Sequence, residues 1–254
     1  DPKQLPATTF HPLSKYLKQD VGLFERLMNS NYEYSMLETQ YRMNEQICEY
    51  PSSKFYNYRL KTDENYSINN EFKNLSKFKS EFLENNSMVF FDCKGISAKR
   101  RNSFYNNDEV NLISKLIILL KENKVENSIG IISPYKEQCK KIKESLNEML
   151  IKNIEVNTVD GFQGREKDII IISLVKSINK KGKIDFVGFL EDAKRLNVSI
   201  TRAKSMLFVI GNINCISNSN VWFDFLKFCN NKNYISNFPT DGISTKFVFE
   251  KILF

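Results

Sequence analysis

The chain has 254 residues, room for one large domain or two small ones around a buried core, and its 41% hydrophobic content is that of a globular protein. Its formal net charge of +7 leans towards a polyanionic partner, although an abundance of Asn, Lys and Ile makes part of that charge a compositional trait. No run approaches ~18 apolar residues, so no membrane span is expected; Asp1-Pro2-Lys3-Gln4-Leu5-Pro6 lacks a signal-peptide core; and scattered cysteines without a CxxC pair, beside the sole histidine His11, argue for reduced thiols and against zinc.

In chain order, the first predicted element is a helix over 13–28, with Leu13, Tyr16, Leu17, Phe24, Leu27 and Met28 on one stripe. Residues 61–87 are polar and rich in Asn and Lys, and read as a surface insertion with some helix. Met88–Asp92 is a strand. Asp108 is the expected cap of a helix running to Lys121, with Val110, Ile113, Leu116, Ile117 and Leu120 buried. Ile129–Ser133 is the next strand. Tyr135, Cys139, Ile142, Leu146 and Met149 follow at steps of four and three, which predicts a helix.

Ile154–Thr158 and Ile169–Val175 are further strands, and Ile169–Ile172 is apolar on both faces, as in the centre of a covered parallel sheet. Residues 176–188 read as a flexible basic loop. A helix from Asp192 to Ala203, a strand Met206–Gly211 and a helix starting near Val221 complete the pattern, and no element is predicted in the last twenty or so residues. Strands separated by helices imply crossovers and a parallel sheet, hence an α/β fold.

ATP hydrolysis needs Lys, Mg²⁺ and Arg around the transferring phosphoryl group. The phosphate-binding pattern GxxxxGKS or GxxxxGKT is absent, since Gly182-Lys183-Ile184 lacks both the earlier glycine and the hydroxyl. No carboxylate pair follows a strand as such a site requires. The chain alone is therefore expected not to hydrolyse ATP.

Four segments do not read as packing. They are Asp1–Thr8; Gln40-Tyr41-Arg42-Met43 with Tyr50–Tyr56; Asn157–Asp168; and Arg195–Lys204. The third leaves the C-terminal end of a strand, where parallel sheets bind ligands. Its Gly161 and Gly164 permit close backbone approach, and Thr158, Gln163, Arg165 and Glu166 offer polar tips; a tight turn with solvated charges is the other reading. The fourth puts Arg195, Ser199 and Arg202 on one helix face and Ala193, Leu196, Ile200 and Ala203 on another. Those arginines suit either a phosphate chain or surface salt bridges, and Arg42 beside Tyr41 leaves the same choice.

Together and in this order, the segments resemble the C-terminal motifs of superfamily 1B helicases, the group of the nonsense-mediated-decay helicase and senataxin. The resemblance covers Asp1 to about Asn212. Gln-Tyr-Arg-Met with its Pro-Ser-Ser-x-Phe-Tyr tail, Asp-Gly-Phe-Gln-Gly-Arg-Glu-Lys-Asp, and Arg-Leu-Asn-Val-x-x-Thr-Arg-Ala-Lys carry it. Ile129–Tyr135, Asp160-Gly161-Phe162 and Val221-Trp222-Phe223-Asp224 look closest to the senataxin branch. In place of the family's His-Pro after the first motif stand Asn44-Glu45.

The resemblance implies a RecA-like three-layer sandwich with a mostly parallel sheet. Residues 1–34 would be a remnant of a first RecA-like domain and linker, 35–232 the second RecA-like domain, and 233–254 a C-terminal tail. It implies ATP with Mg²⁺, whose ligands lie mainly in the first domain, and a single-stranded RNA, DNA or RNA–DNA hybrid partner. Arg42 and Arg202 would reach the terminal phosphates and Gln4 the γ-phosphate or attacking water. Tyr41 would stack on adenine, Glu166 would accept from the ribose, and Gln163 belongs with these contacts. Ser133, Pro134, Tyr135, Thr158 and Val159 would grip nucleic acid, Tyr135 by stacking on a base or by packing at a helix start. Lys94, Lys99, Arg100 and Arg101 form either a strand-binding patch or a solvated loop. The senataxin likeness implies the nucleus, with the cytoplasm as alternative. Rival readings are a nucleic-acid-binding module whose ATPase has been lost, and a scaffold that binds a protein through 61–87.

Overall fold

The computed structural model describes residues 1–7, 9, 11–65, 73–179, 182–183, 188–238 and 248–249. Its main sheet contains β1 (Met88–Asp92), β2 (Ile129–Ser133), β3 (Glu155–Thr158), β4 (Lys167–Ser173), β5 (Ala203–Gly211), β6 (Ile235–Asn237) and β7 (Val248–Phe249). They lie in the order β7-β6-β1-β5-β4-β2-β3, and only β7 runs antiparallel to its neighbour.

Register explains the layers. Val89, Phe208, Ile171, Ile131 and Val156 are partners in one row across five strands. The next row is Phe90, Val209, Ile172 and Ile132. Successive side chains point to opposite faces, so the rows feed two separate cores. The first core is covered by helices Lys73–Phe82, Asn107–Glu122 and Lys136–Glu148, and the second by Glu45–Phe55, Ala193–Ile200 and Asn220–Asn231. Each fully buried Phe or Ile in them contributes roughly 1.5–3 kcal/mol. The result is a RecA-like three-layer α/β sandwich, as expected. All five cysteines are free and buried in it.

The helix expected over 13–28 divides into Pro12–Tyr16 and Leu23–Asn29. Lys18 turns left-handed (φ 52°), and the Arg26 guanidinium closes the turn by donating to the carbonyls of Lys18 and Val21. The apolar residues of this stretch face outward: Tyr16 is 84% and Leu23 73% exposed. Asn106, not Asp108, caps Asn107–Glu122, accepting from the N–H groups of Asp108 and Glu109. Asp108 instead accepts from the Ile96 N–H at 3.0 Å.

β4 begins two residues early because Lys167 pairs with Ala203, and it ends at Ser173, beyond which Val175 adopts φ 71°. The helix expected to reach Ala203 stops at Ile200, where Thr201 and Arg202 turn into β5. The region 61–87 is more than surface: Leu75, Phe78 and Leu83 enter the first core, while 66–72 lie outside the described residues. In the predicted loop 176–188, Lys176 and Ser177 are buried and Ile178–Asn179 pairs with Ile96–Ser97; residues 180–181 and 184–187 are outside the described set.

Candidate nucleotide cleft and nucleic-acid edge

The Gln40 side chain shapes the Tyr41–Met43 turn. Its carbonyl oxygen accepts from the N–H groups of Arg42 (2.8 Å) and Met43 (2.7 Å), and its amide donates to Met43 O and Thr62 Oγ1. Asn44 then caps Glu45–Phe55 by accepting from Ile47 N–H, and donates to Ser205 O on β5. Replacing His-Pro by Asn44-Glu45 thus keeps the turn against the sheet.

From this turn the Arg42 Nε donates to Glu166 and its Nη1 to Thr201 O at 3.2 Å. Arg202 donates from Nη2 to Thr201 Oγ1 at 2.9 Å and from Nε to Val198 O at 3.0 Å. Both guanidinium groups therefore meet at Thr201. Burial, then repulsion from Arg42, lowers the Arg202 pKa to about 10, against the pull of Glu166 and Tyr56, so it stays a cation at neutral pH. Lys204 Nζ lies 3.1 Å from the other Glu166 oxygen. Burial raises the Glu166 pKa, but hydrogen bonds from Arg42 and Lys204 outweigh it and hold the carboxyl below its ordinary value.

A cleft of about 730 Å³ opens beside this cluster, and Gln4, Tyr41, Arg42, Tyr56 and Thr201 are among its walls. Tyr41 is 73% exposed, so its ring face is available. The first residues are tied to the cleft by the motifs themselves. Tyr56 donates to Asp1 Oδ2, Asn197 to Lys3 O and Gln163 to Leu5 O. Gln163 thus holds the N-terminal segment. Among the described residues no group of three or more His, Cys, Asp or Glu could hold a metal ion.

Arg195 does not join Arg202. It pairs with Asp192 and Asp160, the salt-bridge alternative, because Arg202 lies beyond the helix end and leaves that face.

Glu166 and Arg202 immediately precede β4 and β5, so this cluster sits at the N-terminal edge of the parallel sheet. Ser133 and Thr158 end β2 and β3 at the opposite edge. Ser133 is fully buried, its hydroxyl accepting from Tyr135 N–H at 3.4 Å. Pro134 lies between them, partly exposed. Thr158 caps Val159–Phe162 through Gly161 N–H, and the Val159 side chain is buried. Tyr135 packs edge-on against Phe104 with ring centres 5.5 Å apart and is 8% exposed, so of its two readings packing prevails. Thr201, Lys204, Tyr56 and Asn197 had no role in the sequence reading. Pairing of Ala203 with Lys167, followed by a register shift before Met206, sets Lys204 near Glu166, and no local sequence pattern marks it.

A three-layer α/β sandwich with paired arginines beside an open cleft defines a RecA-like domain. The family described as "AAA domain" matches residues 19–214, and the chain belongs to it. It is 38% identical over 237 residues to an uncharacterized ATP-dependent helicase of Methanocaldococcus jannaschii, covering 89% of this chain and 34% of that protein. It is 35% identical to helicase SEN1 of Saccharomyces cerevisiae (89% of this chain, 10% of SEN1) and 34% identical to human probable helicase senataxin (87% and 8%). The chain thus spans about a third of the first of these relatives and a tenth or less of the other two, and is a senataxin-like helicase domain.

Proposed function

We propose that this chain is the second RecA-like motor domain of an ATP-dependent RNA or RNA–DNA helicase moving 5′ to 3′, and that it is inactive alone. The observation that carries this is the meeting of Arg42 and Arg202 at Thr201 beside a cleft lined by Gln4 and Tyr41. Two guanidinium groups suit the charge on a triphosphate, and an exposed Tyr41 suits a purine face. ATP with Mg²⁺ would supply the free energy that drives the motor.

In this reading Tyr41 stacks on the base, Gln4 approaches the terminal phosphate, and Arg42 and Arg202 stabilise charge there. Glu166, parked on Arg42 and Lys204 here, accepts from the ribose once Arg42 turns to phosphate. Gln163 keeps the Gln4 segment in place. Ligands for magnesium and most phosphate contacts come from the first RecA-like domain of the same polypeptide. Ser133, Pro134, Thr158 and the backbone at Val159 hold the nucleic-acid strand, with Tyr135 packed behind them. Likeness to senataxin is our ground for the nucleus as compartment over the cytoplasm, which a fluorescent fusion would test.

Arg202→Ala in the full-length protein is expected to lower ATP turnover by roughly 10³-fold or more. Because Arg202 is buried, Arg202→Lys is measured beside it; it keeps the charge but not the fork, and should also be severely impaired. Turnover within a few-fold of wild type in both variants would refute the role.

A further inference from the structure

Residues 94–106 contain four cations, Lys94, Lys99, Arg100 and Arg101, and no acid. They form a β-hairpin in which Ile96–Arg100 pairs antiparallel with Ser103–Asn106 around the two-residue tip Arg101-Asn102. The hairpin leaves the C-terminal end of β1 and reaches the start of helix Lys136–Glu148, which follows β2. There the Ser103 hydroxyl accepts from Glu137 N–H, and Arg100 pairs with Glu137 at 3.0 Å. With β5 and β4 between β1 and β2, the ribbon crosses three strand spacings, or about 14 Å. It therefore runs along this edge of the sheet as far as Ser133 and Pro134, one strand from Thr158.

The ribbon is fastened underneath. Ile96–Ser97 pairs with Ile178–Asn179, and the Ser177 hydroxyl donates to Gly95 O. A Cβ on Gly95 would stand 2.5 Å from Asp108 side-chain atoms, so the strand lies close on the head of helix Asn107–Glu122. Buried Lys176 sets its ammonium 3.3 Å from the Phe104 ring centre, a desolvated cation–π contact. The fixed base contrasts with the tip. Lys99 and Arg101 are exposed, and among the described residues neither has a carboxylate partner.

We propose that this hairpin is a second grip on the nucleic-acid backbone, in which Lys99 and Arg101 contact phosphates of the strand held by Ser133, Pro134 and Thr158. The proposal rests on reading that edge as the nucleic-acid side. Cations without a carboxylate partner on a rigid ribbon bind a polyanion with little ordering cost, since their support is already in place. Contacts to phosphate carry no base preference.

The test uses the full-length protein and fluorescein-labelled oligouridylate and oligothymidylate, with anisotropy read over a range of salt. Each lost phosphate contact removes about 0.7 from the slope of log affinity against log salt on single strands. Lys99→Ala/Arg101→Ala should reduce the slope by about 1.4 and weaken binding about tenfold near 0.15 M salt. Loss should be equal on both oligonucleotides, with unchanged melting temperature and unchanged ATP turnover in the absence of nucleic acid. Lys115→Ala/Lys121→Ala removes the same charge from exposed positions on helix Asn107–Glu122 and should leave the slope near wild type. An unchanged slope in the hairpin variant overturns the proposal, as does an equal fall in the control pair or a loss confined to one sugar. Failure of wild type to bind either oligonucleotide would instead refute the helicase reading itself.

Discussion

Two glutamates stand at opposite ends of β4 and are held in opposite ways. Glu166, just before the strand, is shared between Arg42 and Lys204, with its side chain 38% exposed. Glu109 is fully buried beyond the far end, where its oxygens accept from the Ser173 hydroxyl and the Val175 N–H. Asn106 and Gln138 complete that network: Gln138 donates to Ser173 Oγ and Asn106 O, and accepts from Asn106 N–H. The near end carries charges that can exchange partners with little desolvation. The far end carries neutral groups that cannot separate without leaving buried donors unmet. One edge is fit to respond and the other to stay rigid.

The widest expected gap comes from deleting each carboxylate. Glu109→Ala strands the Ser173 hydroxyl and Val175 N–H, so the unfolding free energy measured in urea should fall by about 3 kcal/mol. A fall under ~1 kcal/mol would mean the rigid edge does not depend on this residue.

A pH series separates the two groups by sign. Burial, opposed by hydrogen bonds from Ser173 and Val175, raises the Glu109 pKa from 4.5 to about 8; Asp108 adds to the rise. The folded state then binds more protons than the unfolded one between these values. Stability contributed by the protonated form is complete below 4.5 and drains away as pH rises through about 8. Stability should fall steadily between these limits, and Glu109→Gln should abolish that fall. Glu166, with a lowered pKa, contributes stability present above 4.5 and lost as pH falls through its lower folded value.

Asn44→Ala removes the cap that joins the Arg42 turn to its helix, and should cost about 1 kcal/mol in thermal or urea unfolding. An effect near zero would show that the backbone bond from Asn44 N–H to Lys204 O alone positions the turn. Smallest of all, Glu166→Gln should alter stability by less than ~1 kcal/mol, since the pair is partly solvated. A larger change would erase the contrast between the edges.

Legibility in the sequence followed the same division. Met88–Asp92 and Ile129–Ser133 match their strands residue for residue because both are apolar runs bounded by polar turns. The arginines of the cleft were legible as motifs, but their meeting at Thr201 was not, since 159 residues separate Arg42 from Thr201. Glu109 was overlooked. Asn106 followed three residues later by a glutamate reads as a capping box, but here the carboxylate turns inward to the loop after β4. That reversal depends on the left-handed Val175, whose cause is tertiary and leaves no local pattern. The break between Tyr16 and Leu23 did have a local signal, Gly22, which caps the second helix, while the Arg26 contacts that close the turn on Lys18 were not legible.

The buried thiols have a practical consequence. Burial pushes the Cys93 pKa to about 12 and that of Cys139 to about 11, and it also raises Cys48 and Cys229. Thiolate is the species that attacks an electrophilic dye, so the native side chains of this chain will be slow to label. A single cysteine placed at Asn102, on the hairpin tip, would then carry a spectroscopic reporter selectively, making movement of that ribbon visible in real time.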